Sequence, residues 1–227
     1  MCLCISLTKK LKVLVFNEIE KIEVAIKVAI VDEGCAYFSS QFWLTSNSSY
    51  IRNGFSSTLN ILSREYNHSN EEFVNHFKSK YSNNYPPAWI ITELLTFGNI
   101  TKIFSALKPG VKKRIARKFN LASEPFQSWI GILHLDRNTC CHHSRLWNKW
   151  LAIEPVIPTS NRPSWIDTIP RKRSTYFDLC IIKHFLDIIS PGNDMADKLK
   201  KLLNDFPIVY PPAMGFPQNW EETAPWK

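Results

Sequence analysis

Apolar residues recur every three or four positions along much of the chain, which is the spacing of amphipathic α-helices. The first predicted helix covers residues 7–31, and Gly34 is predicted to stop it. Its apolar positions are Leu11, Leu14, Val15, Ile19, Ile22, Ile26 and Ala29. Strict alternation of apolar and polar residues, the pattern of half-buried strands, is rare. The chain is therefore predicted to be all-α.

Further helices are predicted between segments rich in proline, serine and asparagine. Residues 38–70 are expected to form an irregular connection with short helical pieces. The predicted helices that follow are a short one ending at Tyr81, then 89–107 with an interruption near Gly98, a basic helix at 111–119, and helices at 126–150, 174–189 and 194–204. The whole chain, 1–227, is predicted to be a single domain.

Two proline-rich segments interrupt the helical pattern in the second half of the chain. Residues 151–173 contain Pro155, Pro158, Pro163 and Pro170, and they are predicted to be a linker within the domain. Residues 206–227 are rich in proline and tryptophan. They are predicted to form an extended tail that packs over the body of the protein.

The composition is that of a folded protein with a basic surface. Hydrophobic residues make up 44% of the chain and aromatic residues 13%, which is enough for a sizeable core. The net charge of +8 is compatible with a polyanionic partner such as RNA. Lysine and arginine cluster at 112–118 and at 171–173. For either cluster alone, a solvated helix face or loop is the simpler interpretation.

Several classes of protein are excluded by signals that the sequence lacks. The first residues, MCLCISLTKK, are not predicted to be a signal peptide, because they lack a basic n-region and their apolar stretch is too short. No apolar run approaches the roughly twenty residues of a membrane-spanning helix. The six cysteines do not have the spacing of a disulfide framework. We therefore expect a cytoplasmic protein that does not bind membranes. There is no glycine-rich phosphate loop, H-E-x-x-H motif or paired-carboxylate motif, which argues against an NTPase or a zinc protease.

Polar and ionisable residues concentrate at 135–149, inside the predicted helix 126–150. On a helix Asn138, His142 and Arg145 share one face, at i, i+4 and i+7, and Arg137 flanks that face. Histidine exchanges protons near neutral pH, and beside two guanidinium groups it suits the handling of a phosphodiester. A hydrogen-bonded structural face is the alternative interpretation of the same stripe.

Adjacent cysteines and histidines at 140–143 raise the question of a metal site or a reactive thiol. Consecutive residues on a helix point about 100° apart, so only Cys140 and His143 could bind one ion together. No second ligand pair with suitable spacing is present. Cys141 is next to His142 in sequence, which does not provide the oriented pair that thiolate catalysis needs. We predict neither a metal nor another cofactor.

Residues 137–149, RNTCCHHSRLWNK, resemble the signature R-N-x-C-A-H-H-x-R-L-W-N-R of the Abi-like (AbiD/AbiF) abortive infection proteins. Three more blocks resemble that family in order: EKIEVAIK at 20–27, PPAW and ELLTFG within 86–98, and MGFP with a following Trp at 214–220. Cys141, Lys27 and Lys149 stand where Ala, Arg and Arg are usual. The resemblance also implies that this chain lacks an N-terminal segment that family members carry before the 20–27 block.

The Abi-like family in turn resembles the HEPN superfamily of helical bundles, whose ribonucleases share an R-x₄₋₆-H motif. Arg137 and His142 satisfy that motif. The resemblance implies metal-independent RNA cleavage, in which a ribose 2′-OH attacks the neighbouring phosphorus. His142 would be the general acid or base, Arg137 would stabilise charge on the phosphate oxygens, and Asn138 would orient one of these groups. The supporting or RNA-binding residues implied by the resemblance are His143, Arg145, Asn148 and Lys149.

The same resemblance implies the partners of the protein. RNA is the expected substrate, and a structured non-coding RNA is an expected regulator in a toxin–antitoxin arrangement. A homodimer is expected to bring two motif helices together at its interface. The leading hypothesis is an endoribonuclease toxin of phage defence. The alternatives are a catalytically silent HEPN-like RNA-binding protein, and a structural helical partner that does not bind RNA.

Overall fold

The structure is a computed structural model that describes residues 2–142, 145–147, 153–207 and 209–227. Within these residues there is no β-strand, only an isolated bridge between Tyr50 and Leu107. The α-helices of this part are α1 Cys2–Phe38, α2 Gly54–His68, α3 Glu72–Lys80, α4 Ala88–Glu93, α5 Phe97–Ala106, α6 Pro109–Arg117, α7 Ser123–Cys141, α8 Thr175–Ile189 and α9 Met195–Asn204. The all-α prediction is confirmed.

The chain divides into two compact units. The first unit contains Met1–Val24 and Phe119–Lys227, and the second contains Ala25–Lys118. Helix α1 therefore contributes its first part to one unit and its last part to the other. The proposal of a single domain over 1–227 stays a prediction. None of the helices in the described part of the chain is long and apolar enough to cross a membrane.

Helix α1 is longer at both ends than its apolar pattern predicted. Gly34 was predicted to stop it, but the helix continues to Phe38. The prediction of the stop was wrong because Gly34 serves packing instead: a Cβ atom at this position would lie 2.1 Å from the Trp43 side chain. Glycine thus lets the Trp43 ring, which is fully buried, lie directly against the helix backbone.

The segment 38–70 is more helical than predicted. It contains two 3₁₀ helices, Trp43–Thr45 and Asn47–Ser49, and then the fifteen-residue helix α2. The buried side chains of α2 include Thr58, Leu62 and Tyr66, which recur every four residues. The apolar residues Phe55, Leu59 and Leu62 have helical spacing, but the serines and asparagines around them led to the prediction of an irregular connection.

Helix α7 ends earlier than predicted. The helix expected at 126–150 begins at Ser123 and ends at Cys141. The five residues 138–142 are Asn, Thr, Cys, Cys and His, which all have low helix propensity, so the last turn gains little from continuing. The predicted helices α3, α8 and α9 are confirmed, and so is an interruption within 89–107. It lies at residues 94–96 rather than near Gly98, which is in the first turn of α5, because the Thr96 hydroxyl caps that helix by accepting a hydrogen bond from the Asn99 N–H.

An aromatic cluster holds α7 and α8 together in the first unit. The ring of Trp129 on α7 lies 6.5 Å from the rings of both Phe177 and Phe185 on α8. The indole N–H of Trp129 donates a hydrogen bond to the carbonyl of Val156, at 3.0 Å. This bond attaches the proline-rich segment 151–173 to the core. That segment also contains a 3₁₀ helix, Ser164–Thr168.

The C-terminal tail packs on the first unit, as predicted. Trp220 and Trp226 are buried, and the ring of Phe216 lies 4.5 Å from that of Tyr176 on α8. The tail is irregular and contains the 3₁₀ helices Pro211–Met214 and Trp220–Glu222, so it is less extended than expected. Gly215 has φ +91°, and a Cβ atom there would lie 2.5 Å from the Ser174 hydroxyl.

Candidate functional site

The predicted catalytic residues lie at the C-terminal end of α7. Arg137 and Asn138 are on its last turns, and both are partly exposed. His142 is the first residue after the helix, with extended backbone (φ −98°, ψ 168°) and an exposed side chain. Its N–H donates to the carbonyl of Asn138, at 3.0 Å. The predicted helical stripe of Asn138, His142 and Arg145 is therefore wrong, because the helix does not reach Arg145.

The guanidinium group of Arg137 lies over an aromatic ring of α1. Its central carbon is 5.7 Å from the centre of the Phe16 ring, which is within the range of a cation–π contact. The amide nitrogen of Asn138 is 3.3 Å from Nε2 of His134, one turn earlier on α7. Both side chains are thus oriented by neighbours while part of each stays accessible to solvent.

Lys12 on α1 contacts the backbone of His142. Its Nζ donates a hydrogen bond to the His142 carbonyl oxygen, at 2.7 Å. An ammonium group at the C-terminal end of a helix is favoured by the helix dipole and satisfies a carbonyl that the helix leaves unpaired. Phe16 and Lys12 are one turn apart on α1, about 6 Å along its axis. Two neighbouring turns of α1 therefore contact Arg137 and His142.

A groove of about 340 Å³ lies beside this contact, and we call it the α1–α7 groove. Five of its lining residues are on α1: Lys9, Lys12, Val13, Phe16 and Asn17. The other two are on the last turn of α7, Cys140 and Cys141. The lining combines two ammonium groups, an amide, two thiols and an apolar surface. None of these seven described residues has a carboxylate.

The other predicted site residues are placed differently or fall outside the described residues. Arg145 is exposed on irregular chain, with its guanidinium carbon 5.4 Å from the Trp147 ring centre. The segment 145–147 is attached to α8, because Leu146 is buried and its carbonyl accepts a hydrogen bond from the Thr175 hydroxyl, at 3.1 Å. Three of the predicted site residues lie outside the described part of the chain: His143, Asn148 and Lys149.

Sequence reasoning missed the contribution of α1 to the site. Lys9, Lys12 and Phe16 are spaced three and four residues apart, so they lie on one side of the helix. The sequence did contain a signal of a binding surface on α1. The spacing puts two lysines and an aromatic ring next to Leu11 and Val15, which are buried. Nothing in the local pattern linked it to α7.

The described residues contain no group of three or more His, Cys, Asp or Glu side chains that could hold a metal ion. Cys140 and His143 were considered as a chelating pair on one helix. Cys140 is partly exposed on the last turn of α7, whereas His143 lies outside the described residues.

Comparison with known proteins identifies a family for the chain. No curated protein and no solved structure shows a match to the chain. The family model of the Abi-like proteins matches residues 3–148, which is more than half of the chain and includes the end of α7 with Arg137, Asn138 and His142. By this match, the chain belongs to the Abi-like protein family.

Proposed function

We propose that this Abi-like protein acts in abortive infection as a metal-independent endoribonuclease of the HEPN type, a toxin of phage defence. The observation that carries the proposal is the arrangement at the end of α7. There the R-x₄-H residues Arg137 and His142 are both accessible, and both contact α1, which adds Lys12 and Lys9 beside them. A cationic, partly exposed site with an accessible histidine suits a polyanionic substrate.

The proposed reaction uses the nucleophile that RNA itself supplies. The 2′-oxygen attacks the adjacent phosphorus and loses its proton, and the bond from phosphorus to the 5′-oxygen of the next nucleotide breaks. The products carry a 2′,3′-cyclic phosphate and a 5′-OH. The His142 imidazole, exposed just past the helix end, moves a proton at one of these oxygens. Arg137 stabilises the negative charge that builds on the phosphate oxygens.

Asn138 and a second copy of the chain complete the proposed site. The Asn138 amide contacts His134, and in the proposed site it would orient the phosphate or the 2′-OH. One R-x₄-H motif supplies one histidine, whereas cleavage needs both a base and an acid. A homodimer with two-fold symmetry would place two α7 ends in the same site.

RNA is the proposed partner in either of two ways. It is the substrate in the leading proposal, and a structured non-coding RNA is the proposed regulator. If the chain binds RNA without cutting it, the catalytically silent RNA-binding function takes the place of the nuclease. Dependence of cleavage on His142 distinguishes the two, because RNA affinity is common to both.

The test is cleavage of labelled total RNA in the presence of EDTA. We expect the wild-type chain to cut, and His142→Ala to lose about 10²–10⁴-fold in rate, the usual contribution of general acid–base catalysis. His76→Ala is the matched control, because it removes another exposed histidine, on α3 of the second unit. The product 5′ ends should accept phosphate from a polynucleotide kinase without prior dephosphorylation.

Three results would contradict the nuclease proposal. The first is that the folded wild-type chain binds RNA but does not cut it. The second is equal cleavage by the wild type and His142→Ala, which would indicate a contaminating nuclease or a different site. The third is cleavage that stops in EDTA. Absence of both cleavage and binding, even at low salt, would favour the structural partner protein.

A further inference from the structure

We infer that the α1–α7 groove binds one unpaired nucleotide of RNA, with Lys9 and Lys12 on its phosphate and Phe16 and Asn17 on its base. The position of this nucleotide next to the cleaved bond rests on the proposed nuclease function. Binding in the groove does not rest on it. The proposal follows from the composition of the lining and from the contact between Lys12 and His142.

The lining fits a ligand that is both anionic and partly apolar. Lys9 and Lys12 supply two positive charges, and Val13 and Phe16 supply an apolar wall. A free phosphate would leave that wall unused, whereas the base of a nucleotide would cover it. The volume of about 340 Å³ is in the range of small-molecule sites, roughly 300–1,000 Å³.

Phe16 and Asn17 provide the two kinds of contact that proteins make with unpaired bases. Bases stack on or pack against aromatic rings, and their edges bond to polar groups. Phe16 is partly exposed at the groove, and Asn17 presents an exposed amide with both a donor and an acceptor. The face of a base is covered by its neighbours in a duplex and cannot lie on Phe16, so the ligand is single-stranded.

A neighbouring groove shows why the charge of the lining matters. About 300 Å³ in volume, it lies between α1 and α9 and is lined by Lys10, Lys198 and Lys201. Its lining also includes the carboxylates of Glu18 and Asp205. Glu18 is buried and bonds to Lys198 at 3.4 Å, so part of that positive charge is already neutralised within the protein. Among the described residues, the lining of the α1–α7 groove has two lysines and no acid.

Lys12 connects the groove to the proposed catalytic residue. Its ammonium group lines the groove and also donates to the carbonyl of His142. A phosphate held by Lys12 would therefore lie close to the first residue after α7. This places the bound nucleotide beside the bond that His142 acts on, and it makes the groove a determinant of which sequence is cut.

The exposed thiol of Cys141 allows a direct test of occupancy. It lines the groove, so a bound nucleotide should shield it from iodoacetamide. The ligand is a short single-stranded RNA with 2′-fluoro groups, which lacks the attacking hydroxyl and cannot be cut. At about ten times Kd we expect alkylation of Cys141 to slow roughly tenfold, since only the free fraction reacts. Peptide mass spectrometry follows Cys141, with Cys35 of the second unit as the internal control.

Two further ligands separate the nucleotide from other occupants. Inorganic tripolyphosphate tests a simple anion site, and a duplex of the same RNA tests the need for an unpaired base. Protection by the single strand alone supports the inference. Equal protection by tripolyphosphate or by the duplex overturns it, and so does absence of protection by the single strand.

Two substitutions test the base contacts by affinity rather than by activity. Phe16→Leu keeps the apolar volume but removes the ring, and we expect it to weaken binding of the 2′-fluoro RNA roughly five- to a hundredfold. Asn17→Ala should weaken binding about two- to tenfold and change the preferred nucleotide. Asn204→Ala, an exposed asparagine at the end of α9, is the matched control and should leave affinity unchanged.

The experiments test nucleotide binding in the α1–α7 groove separately from RNA cleavage. If the wild-type chain does not cut RNA but Cys141 is still protected, the nuclease proposal fails and the binding site stands. If the chain cuts RNA while Cys141 stays reactive and Phe16→Leu binds normally, the nuclease proposal stands and the inference about the groove is wrong.

Discussion

Two groups of basic side chains in the described part of the protein are used in opposite ways. One is on α6 and just after it, at 112–118 in the second unit, and we call it the α6 cluster. There Arg114 and Lys118 both bind the Glu33 carboxylate, at 2.6 Å and 3.1 Å. The other consists of Lys9, Lys12 and Arg137 in the first unit. Lys9 lines the α1–α7 groove, and Lys12 donates a hydrogen bond to the residue that follows α7. Arg137 lies over the Phe16 ring.

Part of the positive charge of the α6 cluster is paired with groups of its own unit. Burial opposes ionisation of Glu33, but hydrogen bonds from Arg114 and Lys118 outweigh it, so the pKa of Glu33 is lowered. The Lys112 ammonium donates to the Ser105 carbonyl, at 3.2 Å, and burial lowers its pKa. Three of the cations in the most basic stretch of the sequence therefore have structural partners.

The group around Arg137 keeps its charge available although it is less conspicuous in the sequence. Lys12 is bonded to a neutral carbonyl and Arg137 to the face of a ring, so neither contact cancels the charge. The comparison teaches that a run of lysines and arginines in the sequence does not show how much positive charge the folded protein leaves available to an anion. What matters is whether carboxylates meet the cations in the folded chain.

The largest expected difference between the two groups is in catalysis. Arg137→Ala should lower the single-turnover cleavage rate by about 10²–10³-fold, because a preorganised donor to the transition-state charge is lost. Arg114→Ala removes a guanidinium of the α6 cluster and should leave the rate within about threefold of wild type, while costing stability. Both rates are measured on the same RNA with EDTA present. Similar losses in the two variants would mean that Arg137 has no special role.

Much of the fold followed from the sequence because helices such as α8 and α9 are periodic and end at caps or glycine- and proline-rich turns. The end of α7 at Cys141 could not be predicted from the sequence, because no glycine or proline lies between Gly131 and Pro155. Only the weak propensities of residues 138–142 stop the helix, and they give no sharp signal.

The site was predictable only in part for a related reason. The motif at 137–142 is local, so resemblance revealed it. Lys12 meets His142 across 130 residues of sequence, and such a contact is set by tertiary packing. The pairing of Glu33 with Arg114, across 81 residues, was hidden in the same way. Sequence patterns identified the residue types at both places but not which charges meet.

The second expected effect is on stability, and it belongs to the α6 cluster. Glu33→Gln should lower the free energy of unfolding by about 1–2 kcal/mol, because two charge-assisted hydrogen bonds are lost but both cations are partly exposed. The measurement is the urea midpoint at pH 7. Glu20→Gln, an exposed acid on the same helix, is the control and should change little. An equal shift in both variants would contradict the structural role of Glu33.

The same pair predicts how stability depends on pH. The folded-state pKa of Glu33 lies below its ordinary value of 4.5, so its contribution is fully present above pH 4.5. It is lost as the pH falls through the lowered folded-state pKa. The difference in urea midpoint between the wild type and Glu33→Gln should therefore be constant near neutrality and shrink in acid below that value. A difference that grows in acid would mean that the pKa is raised.

The smallest expected effect compares one exposed lysine from each group by the salt dependence of RNA binding. Lys9 lines the α1–α7 groove, whereas Lys113 is exposed on α6. For single-stranded RNA each phosphate contact contributes about 0.7 to the slope of log affinity against log salt. Lys9→Met should therefore reduce the slope, by at most about 0.7 because Lys12 still contacts the same phosphate, and Lys113→Met should leave it unchanged. Both variants lose one charge, so a general effect of net charge would act on them equally. A reduced slope in Lys113→Met alone would assign RNA binding to the α6 cluster and reverse the comparison.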